Sequence, residues 1–230
     1  MLRHGTLLVA IGLVTAGAAW RTGGLPALGL AWLGGCFVAV GIAYVANWPG
    51  VFGKRPTGRL RLVHQLALLP FVAVTTLVWH LARLTSREPR VHVLTPRVRV
   101  GRRLLASEMP AEVTFVVDLT AELPRTHDVQ GYLCVPILDG GIARIDLVRR
   151  AIANIPASGV TLVHCAQGHG RTAMFAACLL IEQHGHSPQT AIEAIASARP
   201  RARMSRAQRA FVEAFAAATL VRASTPSRAP

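Results

Sequence analysis

The chain of 230 residues carries 25 Lys and Arg against 11 Asp and Glu, a formal net charge of +14, yet 52% of it is hydrophobic and its mean hydropathy is +0.40. That length holds about one ordinary domain and an appendage. The basic excess does not mark a nucleic-acid binder, because no aromatic-interleaved basic stripe or known binding motif accompanies it, and one Lys against 24 Arg fits a genomic base bias.

The charge is unevenly spread. Residues 1–87 hold eight basic residues and no acid, whereas residues 88–230 hold 17 basic and 11 acidic ones. Residues 1–87 therefore read as a membrane segment with two to three transmembrane helices, at about 5–20, 25–48 and 62–84. The first stretch reads alternatively as a signal peptide, with Arg3, an apolar core and Ala16-Gly-Ala18. Gly12, Gly17, Gly34, Gly35 and Gly41 suit close helix packing. Pro70 predicts a kink or a turn back in the third stretch, and Trp79 is placed as an interfacial anchor. His64 and His80, near the ends of that stretch, read as interfacial polar residues. Basic clusters flank the third stretch on both sides, so counting positive charges does not orient it. A reactive thiolate survives best in a reducing compartment, which places the soluble part, residues 88–222, in the cytoplasm.

That part reads as alternating strands and helices. Val91 to Leu94, Arg97 to Val100, Val113 to Leu119 and Tyr132 to Ile137 are strand-like, and Ile145 to Ile155 has helical spacing. Val160 to His164 is a short buried strand, followed by a glycine-punctuated loop and a helix starting near Arg171 and closed by Gly185. Ser187-Pro188 caps the next helix, and a last one runs from Ser205 to about Val221. The tail, 223–230, is expected to be disordered. This order gives an α/β domain with a central, mostly parallel sheet flanked by helices. The cluster Arg199 to Arg209 reads as a solvated face or one drawn to a membrane surface. The cysteines at 36, 134, 165 and 178 lack the spacing of a disulfide framework or zinc site.

The chemistry concentrates in Val160 to Thr172. A strand turning directly into a helix leaves unpartnered N–H groups at the positive end of the helix dipole. Gly168 and Gly170 let successive amides curl into a nest. Cys165 at its floor is expected as a thiolate, and Arg171 offers a planar fork matched to two phosphate oxygens.

His164-Cys-x-x-Gly-x-x-Arg-Thr172 resembles the signature of the cysteine-dependent protein tyrosine and dual-specificity phosphatases. The resemblance covers about residues 90–220, and Val98-Arg-Val-Gly101 and Val116-Val-Asp-Leu-Thr-Ala-Glu122 also look family-like. It implies Cys165 as nucleophile, Arg171 and the loop residues His164, Ala166, Gln167, Gly168, His169 and Gly170 around the phosphate, and Thr172 as donor to the departing sulfur. The general acid is sought among Asp118, Asp128, Asp139 and Asp146; Asp139, in a Gly-rich loop 26 residues before Cys165, holds the place of the acid loop, while Asp118 is given a structural role. Asp139 reads alternatively as a simple turn residue. Gln208 falls where related phosphatases orient water, but Ser205-x-x-Gln208 is also a capping box. His169 either adds positive charge for a headgroup or faces solvent. The resemblance implies no metal or cofactor. The expected function is a membrane-anchored dual-specificity phosphatase acting on phosphoproteins. Alternatives are a lipid-phosphate phosphatase, such as one for phosphatidylglycerophosphate, a non-catalytic phosphate-binding module, or a sulfur-transfer or arsenate-handling enzyme.

Overall fold

A computed structural model of the protein describes residues 2–224, so the tail expected at 223–230 lies, from residue 225 on, outside the described residues. The described residues pack as two units. The first takes in the chain up to Arg87 together with Thr120–Arg125 and Pro136–Gly141; the second takes in Glu88–Leu119, Thr126–Val135 and the described residues from Ile142 on.

The first unit begins with an antiparallel pair of apolar helices, α1 (Leu2–Thr22) and α2 (Gly24–Val45). At 21 and 22 residues each is long and apolar enough to cross a membrane. Their seam is made of glycine: a β-carbon on Gly12 would lie 2.7 Å from Gly34 O, and one on Gly41 would lie 2.8 Å from Gly5 O. Residues seven apart return to one helix face after two turns, which is why Gly5 and Gly12 oppose Gly41 and Gly34. Gly17 and Gly35 meet nothing within 4 Å, so two of the glycines expected at the seam lie off it, and Gly5 belongs to it. The outward faces are apolar, with Leu13, Val14, Leu25 and Leu28 all exposed.

The third apolar stretch is not one helix. It divides at Leu68 into α3 (Leu62–Ala67) and α4 (Leu69–Thr85), with Pro70 in the first turn of α4, where its missing N–H costs nothing. The expected kink is thus a helix break and restart. Trp79 is not exposed as an interfacial anchor: it is 2% exposed, with Arg83 5.9 Å from its ring centroid. Cys36, Val40, Phe52, Leu60, Leu68 and Val72 form the core of this unit, and Ala121 and Leu138 complete it. Lys54 fixes the 120–125 segment by donating to Thr120 O (2.7 Å) and Thr120 Oγ1 (2.8 Å), and Arg125 N donates to Gly58 O (2.8 Å).

A five-stranded sheet of order β1-β2-β5-β3-β4 runs through β1 (Val91–Thr95), β2 (Val98–Arg102), β3 (Val113–Thr120), β4 (Gly131–Ile137) and β5 (Val160–Cys165). β1 and β2 form an antiparallel hairpin; β2, β5 and β3 are parallel, as the alternating pattern predicts. Helices α5 (Ile145–Ala153), α6 (Gly170–His184), α7 (Pro188–Ala198) and α8 (Arg206–Ser224) follow. Every residue of α6 from Arg171 to Ile181 is buried, which accounts for a sequence that is apolar on all sides. It packs on β5 and β2 and against α5, α7 and α8. Gly185 ends it at φ 67°, and Ser187 Oγ caps α7 by accepting from Thr190 N (3.1 Å). Arg149 ties three helices together, donating to Thr219 Oγ1 (3.0 Å), pairing with Glu182 (3.5 Å) and lying over the Phe215 ring.

The glycine seam makes a paired prediction. Gly34→Ala forces a methyl group into the Gly12 backbone and should destabilise the protein by about 1–3 kcal/mol. Gly17→Ala, facing open space, should leave the melting temperature in detergent unchanged or slightly raised. Equal behaviour of the two variants would refute the seam.

Candidate functional site

β5 lies between β2 and β3, so its carboxyl end is supported on both sides. The register sets Gly101 beside His164 and Arg102 beside Cys165 on β2, and Asp118 beside His164 on β3. The chain leaves β5 at Cys165 and enters α6 at Gly170, so four residues make the turn. Ligands in open parallel sheets sit beyond such strand ends. Cys165, Arg171 and Thr172 are 3%, 1% and 1% exposed, and Thr172 Oγ1 has no hydrogen-bond partner among the described residues.

Gly168 shapes the loop. Its φ is +72°, and a β-carbon there would collide with Gly101 C and O and come 2.6 Å from Arg102 N. Only glycine fits both demands. Gly170 has a different reason: its β-carbon would lie 2.7 Å from Gln208 Oε1. The curl expected of both glycines is thus made by Gly168, and Gly170 provides room.

Three consecutive carbonyls of the loop are held. His164 Nδ1 lies 3.4 Å from Cys165 O, Arg103 N donates to Ala166 O (3.3 Å), and Arg199 Nη2 donates to Gln167 O (3.1 Å). Arg199 and Glu88 are the residues that the sequence pattern does not single out for the loop. Arg199, grouped by sequence with a solvated or membrane-facing cluster, is 1% exposed, while Arg201, Arg203, Arg206 and Arg209 of that cluster are exposed. Burial pushes its guanidinium below the ordinary arginine value, the charges of Glu88 and Cys165 oppose that shift, and Arg102 adds to it. Glu88 Oε2 lies 3.1 Å from Arg199 Nη2 and 2.9 Å from His169 Nε2. His169, its side chain 36% exposed, therefore pairs with an acid while keeping part of its ring toward solvent. Glu88 leaves one sequence trace: it ends 87 residues without an acid.

The remaining candidates divide. Gln208 is 1% exposed; its Oε1 accepts from Ser205 N (3.0 Å) and its N donates to Ser205 Oγ (3.2 Å), so the capping box is formed with the side chain against Gly170. Asp118, 1% exposed, accepts from Tyr132 Oη at 2.7 Å; burial, then Asp118, then Cys134 push the Tyr132 hydroxyl upward, so it remains a neutral donor. Asp146 is paired with Arg144 and Arg150, and the Arg144 hydrogen bond is the main cause holding its carboxyl below the usual range. Asp139 belongs to the first unit. It is exposed in a tight turn closed by Gly141 N donating to Leu138 O (2.9 Å), with Gly140 at φ +68°. The turn expected as one reading of Asp139 is therefore present.

Residues 92–219 match a family model described as the DSP-PTPase phosphatase domain of Swiss Army Knife proteins, PTP-SAK. Human DUSP28 is similar in fold, with 21% identity, a TM-score of 0.53, and 57% of this chain and 96% of that one covered. A mouse dual specificity phosphatase complexed with zinc tungstate gives 22%, 0.53, 63% and 98%, and PTPMT1 in complex with PI(5)P gives 20%, 0.52, 59% and 100%. No curated protein matches the chain significantly.

Gly168→Ala tests the loop. Left-handed backbone costs a residue with a β-carbon about 1–2 kcal/mol, and here the added contact with Gly101 compounds it. The variant should melt lower and lose affinity for inorganic phosphate, read by calorimetry; undiminished phosphate binding would separate loop shape from anion binding.

Proposed function

We propose, for a chain that belongs to the DSP-PTPase phosphatase domain family, a membrane-anchored dual-specificity phosphatase that hydrolyses phosphate monoesters through a phosphocysteine. The observation that carries this reading is Cys165, buried at the carboxyl end of β5, followed by a loop whose carbonyls are held and by a helix beginning with Arg171 in its first turn.

Cys165 Sγ attacks phosphorus in line with the ester oxygen, the S–P bond forms and the P–O bond breaks. Arg171, the amides of residues 166–170 and the positive end of α6 stabilise the equatorial oxygens. Asp139 gives its proton to the leaving oxygen, then takes one from the water that cleaves the phosphocysteine and returns Cys165 as thiolate. Thr172 Oγ1, buried without another partner among the described residues, donates to that sulfur as it departs. Gln208, its side chain against Gly170, orients the water. Leu138, fully buried in the core of the first unit, fixes the turn that carries Asp139.

The exposed apolar faces of α1 and α2 support anchoring in lipid, and a reactive thiolate favours a reducing compartment, the cytoplasm, for the phosphatase domain. The same apolar faces favour a second substrate reading, a phospholipid monoester. PTPMT1, a fold neighbour, is known in complex with PI(5)P.

Cys165→Ser should abolish turnover without changing the melting temperature; retained turnover would sink the nucleophile. Asp139→Asn should slow hydrolysis about 10²–10⁴-fold for esters with poor leaving groups and much less for activated aryl phosphates. Uniform slowing across leaving groups would remove Asp139 as the acid. Turnover of a phosphotyrosine peptide against phosphatidylglycerophosphate, by the detergent-purified protein, separates the two substrates.

A further inference from the structure

We propose that Arg199, held by Glu88, is a positioning residue that aims the backbone N–H of Gly168 at the bound phosphate. The proposal rests on the loop after Cys165 being the phosphate site, and adds a residue that never touches the ester.

The reasoning starts from the peptide plane. In a trans peptide the C=O and the following N–H point in opposite directions, so a fixed carbonyl fixes the amide behind it. No cis peptide occurs among the described residues. Cys165 O faces His164 Nδ1, Ala166 O accepts from Arg103 N, and Gln167 O accepts from Arg199 Nη2. Those carbonyls are tied to protein groups behind the loop, so the amides of Ala166, Gln167 and Gly168 turn to its other side. The first two ties come from the residue before Cys165 and from the chain just after β2. The third comes from a side chain arriving from the end of α7, and it sets the plane next to Gly168, the one loop residue with positive φ. A peptide beside glycine is the one freest to flip, because no β-carbon opposes rotation.

Arg199 needs fixing itself. Its guanidinium is 1% exposed, Nη1 donates to Pro89 O (3.4 Å), and Nη2 is shared between Gln167 O and Glu88 Oε2. Glu88 Oε2 also meets His169 Nε2 at 2.9 Å, so the loop is gripped at 167 and 169, on both sides of Gly168. His92 Nε2 lies 4.0 Å from Glu88 Oε1, a further basic group beside that carboxylate. A lysine at 199 carries the charge but not the planar fork that reaches Pro89, Gln167 and Glu88 together.

The test uses the full chain in detergent, with inorganic phosphate as probe, and Arg199→Gln, Arg199→Ala, Glu88→Gln and the exposed-site control Arg201→Gln. Losing one preorganised donor costs about 10²–10³ in kcat. Arg199→Gln should approach that loss and bind phosphate at least about tenfold more weakly, measured well below its melting temperature. Glu88→Gln, nearly isosteric, should show a smaller loss of the same kind, and Arg201→Gln none. Guanidinium ion added to Arg199→Ala should restore phosphate affinity. Should Arg199→Gln fail to fold, Glu88→Gln and the guanidinium rescue decide. Wild-type phosphate affinity in variants whose only defect is a lower melting temperature overturns the positioning role and leaves the phosphatase reading standing. Failure of the wild-type protein to bind phosphate overturns both.

Discussion

Gly168 stands against the backbone of Gly101 and Arg102 with no space for a β-carbon, and much of the second unit is arranged around that approach. Gly101 is itself constrained, since a β-carbon there would lie 2.6 Å from Arg90 O. Backbone thus approaches backbone twice, from Arg90 beside the start of β1 to Gly101 in β2, and from Gly101 to Gly168 in the loop. Close backbone approach lets a loop be fixed by main-chain donors such as Arg103 N, and main-chain donors do not change rotamer. The fully buried α6 continues this support, because a helix packed on all sides cannot shift its first turn without disturbing α5, α7 and α8.

Buried cations surround the loop, and carboxylates accompany them. Arg102 pairs with Glu108 at 3.2 Å, and Glu108 also receives Arg90 at 3.3 Å; Arg199 pairs with Glu88. Such pairs add little net stability, because desolvation offsets most of the attraction. Their effect is geometric: a forked guanidinium with a fixed counter-ion holds its other donors in one direction. A cluster that would look wasteful as a source of stability is reasonable as a frame for a loop held in one shape.

The first unit follows a different physics. Close backbone packing across Gly5, Gly12, Gly34 and Gly41 joins α1 to α2, a kind of contact that holds helices together without any hydrophobic force between them. Beyond that seam the unit has a core of its own, into which Ala121 and Leu138 are drawn from segments far along the chain. Through Leu138, the packing of that core bears on the turn holding Asp139.

Local regularities were legible from the residues alone. β-Branched runs marked β3 and β5, Gly185 and Ser187-Pro188 marked helix ends, and the glycines after Cys165 marked the turn from β5 into α6, because each depends on neighbours along the chain. What tertiary structure alone decided are the meetings of distant residues. Arg199 looks like any arginine in a basic run until its carbonyl partner, 32 residues away, is known. Glu88 and His169, 81 residues apart, carry no shared pattern. Trp79 is aromatic near a helix end whether it faces lipid or core, and only packing buried it. Periodicity reports which face of an element is apolar; it carries no record of which other element arrives there, and that choice is made by three-dimensional packing.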